Sequence, residues 1–563
     1  VVLMFSLQPL PEPIEAPVAT PDFDGSEAAR LARSIAESAP AREPGSEGDE
    51  AIAELVRERF IAIESGEVAV QEFESSFEGE DIALQNVVLT LPGESEEMLV
   101  VIAHRDSAIG GGATSSAAST AALIALAEDL GASRRNRTIV LASTGGGSDG
   151  AVGARELISS IPAPEGFAAG IALSQMGVAE SRKPVVIAPD PDGGSAPLKL
   201  VETAAALAEP RFGEGAVRDG GFGQLARLAV PAAFGEGVAL TEAGIDAVTI
   251  TGNGERPIAA SDDRPAEVSS ETLDRTGELA LALALSIDEA AVSPARANAP
   301  ANYVRLGGNL LPGWVLVLLG ITLIAPGLLA AVDAWLRRRR EDPVIARRSI
   351  PWTLERILVP LLPLLLLYLL ALVGLAPSPR FPFEPDRFPF AAGAIALVVA
   401  LGIATALTIL LIRPMRTPLD AEPTVLAAAA GVLSGTSLIG IWVLNPYLGL
   451  LLAPLAHVWL LAARGEGSPR VGLIAGVIAL GLIPLMAALL AVAGQLALGL
   501  TLPWHLLLLT TAGAIGLPMS MFWCGLAGGL LAVLAAARLD QRPRASASTP
   551  RPPRTFVHTG TLD

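Results

Sequence analysis

Long apolar runs in the second half of the chain constrain its fold most strongly. From about Leu311 onward, predominantly apolar stretches of about 18 or more residues recur, which is the length that a helix needs to cross a bilayer. The residues before them have the composition of an ordinary globular domain. The chain therefore divides into roughly 300 residues, enough for one large domain, and roughly 250 membrane residues.

Seven apolar segments are predicted to span the membrane. They are 311–336, 356–376, 391–412, 424–443, 446–463, 471–493 and 504–537. The last segment is long for one helix and contains Pro518, so a kinked span and a re-entrant piece followed by a span both fit it. Counts of six and eight spans stay open. Small-residue segments such as "GVLSGTSLIG" and "CGLAGG" indicate helix packing rather than a pore.

Basic residues concentrate in alternate loops of this region. An "RRRR" run at 337–340 follows the first span, further arginines follow the third and fifth spans, and others crowd the tail at 538–563. The positive-inside rule predicts a multi-pass protein of the cell membrane, with an extracytoplasmic N-terminal domain and a cytoplasmic tail. Because such a domain must be exported, we interpret the apolar start of the chain, ahead of a linker in 1–24, as the end of a truncated anchor. A merely hydrophobic chain end is the alternative.

Charge divides at the same place as hydropathy. Residues 1–306 contain 21 Lys and Arg against 47 Asp and Glu, and the remainder contains 18 against 11. An acidic domain argues against nucleic acid as a partner, and we interpret the acids as a solvated surface. The single cysteine, Cys524, lies in an apolar run, so a disulfide framework and a cysteine-based metal site are both excluded.

Strand-like and helical patterns alternate between residues 25 and 292. Helices are predicted at 116–130, from Val152, at 196–208 and at 270–291. Strands are predicted in "VAVQEFE", "ALQNVVLTLPG", "MLVVIAH", "RTIVLAST", "GIALSQ", "PVVIAPD" and "AVTIT". We therefore expect an α/β domain with a mostly parallel sheet and helices on both faces. A linker at 293–310 would lead to an all-α membrane domain at 311–537.

Four segments resemble the di-zinc aminopeptidase family of clan MH, in the right order and over about residues 25–290. They are "AREPGSEGDEAIAELVRERF", "NVVLTLPGESEEMLVVIAHRDS", "GATSSAASTAALIALAEDL" and "RTIVLASTGGGSDGAVGAREL". In that family a His-X-Asp-Ser run supplies a metal ligand and a catalytic Asp, and a further Asp bridges two zinc ions. A Glu-Glu pair supplies the general base and a ligand, while a later Asp and a final His complete the shell.

The resemblance carries over to only part of the family's site. His104 matches the first metal ligand, and Asp106 matches the catalytic Asp that orients it. Asp263 fits a trailing Asp that follows the final His. The remaining family positions have lost their acid or imidazole; they are Ser115 for the bridging Asp, Gly147 and Ser148 for the Glu-Glu pair, Ser174 (or Gln175 after a slip of one) for the later Asp, and Ala259 for the final His. The resemblance therefore implies a vestigial site.

The histidine count supports this interpretation independently of the alignment. The chain has four histidines, and three of them (His457, His505 and His558) lie in or beyond the predicted spans. One His cannot give each of two zinc ions an imidazole. Two nearby divalent cations also need several carboxylates to offset their repulsion, and a serine hydroxyl adds no charge. A missing general base would cost ~10²–10⁴-fold in rate.

We therefore expect no cofactor and interpret His104 as a polar residue at a strand end, hydrogen-bonded to Asp106. A single weak zinc on these two side chains is an alternative. A serine hydrolase triad using Ser107, Ser115 or Ser116 is disfavoured, because none of these three serines lies in a Gly-X-Ser-X-Gly turn.

Three functions follow from the resemblance. Non-catalytic relatives of this fold, nicastrin and the transferrin receptor ectodomain among them, use the domain to bind protein. The main hypothesis is accordingly a membrane-anchored pseudoenzyme whose exported domain binds a peptide or protein. The first alternative is an active metallopeptidase with an atypical zinc site. The second is a multi-span protein whose exported domain acts as a gate or sensor; a coupled transporter is not supported, because no charged pair sits at mid-membrane in matched halves.

Overall fold

The computed structural model divides the chain into a sheet domain, residues 22–291, and a helical region, residues 313–540. It describes residues 6–17, 22–77, 80–107, 111–161, 166–187, 197–213, 219–230, 232–291, 302–385, 387–415, 423–464 and 471–540. The predicted tail at 538–563 lies almost wholly outside the described residues.

Strands and helices alternate along the described part of the sheet domain. The strands of the chain are β1 Gln8–Pro9, β2 Glu67–Phe77, β3 Glu80–Leu91, β4 Ser95–His104, β5 Arg137–Thr144, β6 Phe167–Ser174, β7 Val185–Val186, β8 Ala247–Thr251, β9 Tyr303–Leu306 and β10 Asn309–Pro312. The helices of the domain are α1 Gly25–Ser38, α2 Glu47–Ile61, α3 Ala118–Ala132, α4 Val152–Ser160, α5 Leu198–Phe212, α6 Gly221–Ala229, α7 Glu236–Glu242 and α8 Ser270–Glu289.

The described strands of the domain form one seven-stranded sheet in the order β2-β3-β5-β4-β6-β8-β7. Its four central strands, β5, β4, β6 and β8, are parallel. The pairs at the edges are antiparallel. The predicted α/β class is confirmed, but the sheet is mixed rather than mostly parallel. For β2 and β3 the antiparallel pairing has a local reason, because so short a connection between two strands permits only an antiparallel hairpin.

Strand β4 shows why the centre of the sheet is an unbroken apolar run. Leu99 and Val101 belong to one buried cluster, whereas Val100 and Ile102 belong to another. Successive side chains of a strand point to opposite faces, so both faces of β4 are covered. The first cluster includes residues of α1, α3 and α8, and the second includes residues of α4 and α7. Helices on both faces are therefore confirmed.

The predicted linkers at 1–24 and 293–310 contain strands. β9 and β10 form a hairpin, and β1 pairs with β10 through Gln8 and Leu310. The linker prediction is therefore wrong for residues 303–310. The missed signal is the Gly-Gly dipeptide between two short apolar segments, which is typical of a two-residue hairpin loop. Gly307 has φ +61°, a conformation that favours glycine.

The helical region consists, in the described residues, of long and broken apolar helices. They are α9 Gly313–Glu341, α10 Pro343–Leu354, α11 Leu358–Leu372, α12 Ala392–Met415, α13 Pro423–Leu444, α14 Pro446–Leu452, α15 Trp459–Ala462, α16 Val471–Gly481, α17 Ile483–Gln495, α18 Leu502–Thr511 and α19 Leu517–Asp540. The predicted small-residue faces pack α13 against α19, where a Cβ added at Gly529 would lie 2.9 Å from Ser434 Cβ.

Five of these segments are long and apolar enough to span a membrane, counting only described residues, which indicates a membrane protein. A sixth is possible if α16 and α17, bent by 42°, form one span. The predicted span at 446–463 is a shorter apolar segment, and the predicted span at 504–537 consists of two helices. The count of seven stays a prediction.

The two parts of the chain share a hydrophobic cluster. Helix α6 contributes Ala226, Leu228 and Ala229 to the cluster that also holds the buried residues of the membrane helices. Asn445, which precedes α14, donates a hydrogen bond from its side chain to Leu228 O (3.0 Å). The sheet domain is therefore packed onto the helical region rather than only tethered to it.

Candidate functional site

The carboxyl ends of the parallel strands bring the predicted residues together. His104 ends β4, Thr144 ends β5 and Ser174 ends β6, so all three lie at the same edge of the sheet. This edge is where ligands bind in open α/β sheets. Asp106 follows His104 by two residues and is fully buried.

The Asp106 carboxylate is saturated by the turn that follows β5. Its Oδ1 accepts a hydrogen bond from the Gly147 N–H (2.8 Å), and its Oδ2 accepts one from the Ser148 N–H (3.0 Å). The Ser148 hydroxyl donates to the same Oδ2. The prediction that His104 is hydrogen-bonded to Asp106 is therefore wrong: Asp106 fixes the 145–148 turn instead.

His104 faces a carboxylate that the sequence analysis missed. His104 Nδ1 lies 3.8 Å from Oε2 of Glu236, the first residue of α7. Glu236 is buried, and its Oε1 accepts a hydrogen bond from the Thr144 hydroxyl. Burial lowers the pKa of His104, but the Glu236 carboxylate, with smaller contributions from Asp106 and Glu384, outweighs burial and raises this pKa to about 9.

Gly147 packs directly against the His104 ring. A Cβ built at Gly147 would lie 3.0 Å from His104 Nδ1 and closer still to the ring's Cγ. No side chain fits at this position without displacing His104. Of the two residues at the family's Glu-Glu positions, Gly147 therefore has no room for an acid and Ser148 is bonded to Asp106.

Ser115 and Asp263 form a second saturated cluster. Asp263 Oδ1 accepts hydrogen bonds from the Thr114 N–H (2.7 Å) and the Thr114 hydroxyl (2.9 Å). It also accepts one from the Ser115 N–H (3.1 Å), while Oδ2 accepts one from the Ser115 hydroxyl (2.7 Å). Asp263 therefore holds the start of the π-helical turn Ala113–Ala117 that leads into α3.

Two fully buried arginines lie behind these acids, and neither was predicted. Arg105 Nε lies 2.8 Å from Asp49 Oδ1, and its Nη2 donates to Gln85 O (2.8 Å). Arg42 donates to the carbonyls of Ala39 (2.7 Å), Arg105 (3.1 Å) and Gly112 (3.3 Å).

The charge of Arg42 is balanced by the acids of this edge. Burial lowers the pKa of the Arg42 guanidinium, while the charges of Asp263, Asp106 and Asp49 act in the opposite direction. The local carboxylates therefore offset arginine cations. The sequence signal was available, because Arg105 stands inside "AHRDS", but burial cannot be read from one residue.

A small cavity, called the mouth, joins most of the predicted positions. It has a volume of about 30 Å³ and is lined by His104, Asp106, Ser107, Ser115, Ser116, Ser148, Gln175, Ile258, Asp263 and Glu384. Space of this size holds one or two waters. Gln175, rather than Ser174, lines the mouth. Among the described residues, Gln175 Oε1 is buried without a hydrogen-bond partner.

The other two predicted positions lie outside the mouth. Ser174 lines a neighbouring cavity of about 20 Å³ together with His104 and Glu236. Ala259 is exposed in the turn before Asp263, where its carbonyl accepts a hydrogen bond from the Asp262 N–H (2.8 Å).

A loop from the helical region covers the mouth. This membrane loop, residues 373–391 between α11 and α12, supplies Glu384 to the mouth lining. Arg387 Nη1 donates to Ser148 O (2.6 Å) and lies 3.4 Å from Asp149 Oδ1. Arg380 Nη1 lies 3.6 Å from Asp149 Oδ2 and donates to Ser75 Oγ (2.8 Å). The membrane loop and the mouth therefore lie on the same side of the helical region.

The described residues contain no group of three or more His, Cys, Asp or Glu side chains arranged to hold a metal ion. His104 has one carboxylate, Glu236, at ion-pair distance. Two other acids of the mouth, Asp106 and Asp263, have hydrogen-bonded donors on both of their oxygens.

Comparison with known proteins gives a family for the sheet domain. The model of peptidase family M28 matches residues 86–284. No curated protein sequence matches the chain.

Solved structures similar to the chain include a glutaminyl cyclase from an Acidobacteriales bacterium, at 19% identity, covering 50% of this chain and 99% of its own with a TM-score of 0.40. BSAP, a zinc aminopeptidase from Bacillus subtilis, is 13% identical, with coverage of 47% and 95% and a TM-score of 0.40. A leucine aminopeptidase precursor from Bacteroides thetaiotaomicron is 16% identical, with coverage of 47% and 98% and a TM-score of 0.41.

The match covers 199 of the chain's 563 residues, and its family agrees with the aminopeptidase-like family predicted from "AHRDS" and the segments around it.

Proposed function

We propose that the M28 domain of this chain is a non-catalytic binding module whose mouth recognises a peptide segment. In the arrangement described above, the segment at the mouth is the chain's own membrane loop. The observation that carries the proposal is that two acids of the mouth, Asp106 and Asp263, are already bonded to backbone N–H groups and lie near the buried Arg42 guanidinium.

The residues present do not suit the pair of zinc ions that the family's aminopeptidases use. A metal at Asp106 would have to displace the N–H donors of Gly147 and Ser148, and one at Asp263 would have to displace those of Thr114 and Ser115. Either change would release the turn that the carboxylate holds. The buried Arg42 guanidinium adds a positive charge behind both acids, which disfavours a further cation.

The positions that would supply a general base carry no basic group. Gly147 has no side chain, and the Ser148 hydroxyl donates its proton to Asp106. A positioned general base contributes ~10²–10⁴-fold to a rate, so a water at this mouth lacks its main activation. Glu236 is not a substitute, because it lies behind His104 and pairs with it.

The membrane loop supports a role in recognition. Its two arginines contact the 145–149 turn, and the Arg387 guanidinium lies 4.8 Å from the ring centroid of Phe77. An external peptide would have to displace this loop, and displacement would act on α11 and α12 to which the loop is joined. The proposal thus combines peptide binding with a gate or sensor role. The partners are a peptide segment and the lipid bilayer, and nucleic acid is not among them.

An active zinc aminopeptidase with an atypical site is the second candidate, and the family match favours it. Release of amino acids from unblocked peptides separates the two. We expect full-length protein in detergent, with added zinc, to release amino acids no faster than the His104→Ala variant. Release that His104→Ala abolishes would establish a peptidase.

Crosslinking tests the membrane loop at the mouth. Cysteines placed at Asp149 and Arg387 should be joined by a short bifunctional maleimide in the full chain, since the native side chains approach within 3.4 Å. The matched control pairs Arg387 with Arg134, which lies on the exposed surface and contacts Glu94. Equal crosslinking of both pairs would contradict the loop's position.

A further inference from the structure

A further cavity lies at the junction of the two parts of the chain. It has a volume of about 440 Å³, within the range of ligand-binding pockets. Residues of the M28 domain and of the hairpin β9–β10 form most of its lining, and Ala491, Gly494 and Gln495 of α17 form the rest. We call it the junction cavity. It is distinct from the mouth, with which it shares no lining residue.

Basic side chains dominate the charge of the junction cavity, although the domain that carries them is acidic. Five Lys or Arg residues line it, against three Asp or Glu residues. Arg227 pairs with Glu255 through two contacts, and Arg305 pairs with Glu202 at 3.1 Å. Lys183 pairs with Asp219. Each of the three acids of the lining is thus paired with a cation, and the net charge of the lining is positive.

Arg256 is the cation that these pairs leave over. In the part of the chain that the structure describes, its guanidinium makes one hydrogen bond, from Nη2 to Gly494 O at 3.5 Å, and no ion pair. The fifth cation, Arg182, contacts Glu180 outside the lining at 3.1 Å. Gln495 adds a side-chain amide to the same wall, and no described residue hydrogen-bonds to it. The remaining N–H groups of Arg256 and the Gln495 amide therefore face a cavity that is large enough for a ligand.

The walls around these donors are partly apolar. Val185, Val186, Val201 and Leu228 line the M28 side, and Ala491 lines the side of the membrane helix. The cavity lies at the end of α17, where an apolar helix meets a polar domain. A ligand that suits it carries an anionic group for Arg256 and Gln495 and an apolar or neutral body for the walls.

We propose that the junction cavity binds a phosphate group, with Arg256 as its main ligand and Gln495 as a second donor. A phosphate offers several acceptor oxygens to the planar guanidinium, which is a favoured partner of this anion. Two sources present this chemistry at such a place: the headgroup of an anionic phospholipid and a soluble phosphate ester. The site is independent of whether the mouth is catalytic, since it uses none of the mouth's residues.

Binding by the full chain in a neutral detergent tests the site. The probes are short-chain phosphatidylglycerol, dioctanoylglycerol as the matching lipid without phosphate, and glycerol 3-phosphate, each titrated by calorimetry. We expect phosphatidylglycerol to bind and Arg256→Gln to weaken it by about tenfold or more, because a hydrogen bond to a charged group is lost. Gln495→Ala should weaken it less, and Arg134→Gln, at an exposed position away from the cavity, should leave it unchanged.

The outcomes are distinguishable. If glycerol 3-phosphate binds as tightly as phosphatidylglycerol, and Arg256→Gln weakens both, the phosphate site stands and its source is soluble. If dioctanoylglycerol, which has no phosphate, binds as well as phosphatidylglycerol in wild type, the cavity does not recognise the phosphate and the proposal fails. It also fails if no phosphate probe binds, or if Arg256→Gln and Gln495→Ala, at unchanged melting temperature, bind as the wild type does.

Discussion

The mouth and the junction cavity are opposites in how their charges are satisfied. At the mouth, both oxygens of Asp106 and of Asp263 accept hydrogen bonds, and the enclosed space is about 30 Å³. At the junction cavity, Arg256 has no carboxylate partner among the described residues, and the space is about 440 Å³. The larger space and the cation without a carboxylate partner therefore lie at the junction cavity rather than at the mouth.

This contrast follows from the cost of burying charge. A buried carboxylate or guanidinium needs partners, and at the mouth the chain supplies them from its own backbone and from Arg42 and Arg105. A site that binds an ion from outside needs a charged side chain whose hydrogen-bonding groups lack protein partners, and Arg256 is such a side chain.

The largest effect is expected from breaking the charge balance behind the mouth. Arg105→Met removes a buried cation and leaves Asp49 uncompensated, which should destabilise the M28 domain by about 3–5 kcal/mol. Thermal unfolding in detergent measures this as a lower melting midpoint. Arg134→Met is the control, because its pair with Glu94 is exposed and should contribute at most about 1 kcal/mol. Equal effects would mean that the balance at the mouth is unimportant.

The pair of His104 with Glu236 predicts a pH dependence of stability. The pKa of His104 is raised from 6.5 in the unfolded chain to about 9 in the folded one, so the folded state binds the extra proton. This contribution is fully present below pH 6.5 and is lost as pH rises through about 9. It amounts to at most about 3 kcal/mol. Melting midpoints between these pH values should fall in wild type and stay flatter in His104→Gln; parallel profiles would refute the assignment.

Restoring the family's acid at Gly147 should fail as a repair. A glutamate there would overlap the His104 ring, and overpacking of this kind costs about 1–3 kcal/mol. We expect Gly147→Glu to lower the melting midpoint and to leave peptide hydrolysis at the level of the buffer. The matched control is Ser148→Ala, which removes one side-chain hydrogen bond to Asp106. A gain of hydrolysis in Gly147→Glu would show that the site is one residue from activity.

The smallest effect is expected where the membrane loop meets the mouth. Asp149→Asn weakens the contacts with Arg380 and Arg387, which are partly exposed pairs of about 1 kcal/mol together. Hydrogen exchange in residues 373–385 should become faster, because the loop opens more often. Glu94→Gln is the matched control on the far surface. Unchanged exchange in Asp149→Asn would mean that other contacts hold the loop.

Local patterns in the sequence were enough to predict the fold and part of the mouth. Apolar runs predict the central strands, and the family resemblance singled out His104, Asp106, Ser115 and Ser148, which all line the mouth. The antiparallel edges of the sheet and the hairpin β9–β10 were not predicted, because their pairing depends on short turns rather than on long apolar runs.

The partners of these residues could not be predicted, because they come from distant segments. Glu236 reaches His104 from α7, Arg42 comes from the turn after α1, and Glu384 comes from the membrane loop. Each is an ordinary charged residue in its own stretch of sequence. Only tertiary packing gives it a role, and a one-residue shift in register was enough to replace Ser174 with Gln175 at the mouth.

The zinc content of the full-length protein tests the central claim most directly. Protein purified without chelators from cells supplied with zinc is measured by elemental analysis, beside the His104→Ala variant. We predict well below one zinc per chain in both, with no difference between them. Two zinc ions per wild-type chain, lost in His104→Ala, would show that the mouth is a working metallopeptidase site and would contradict the account.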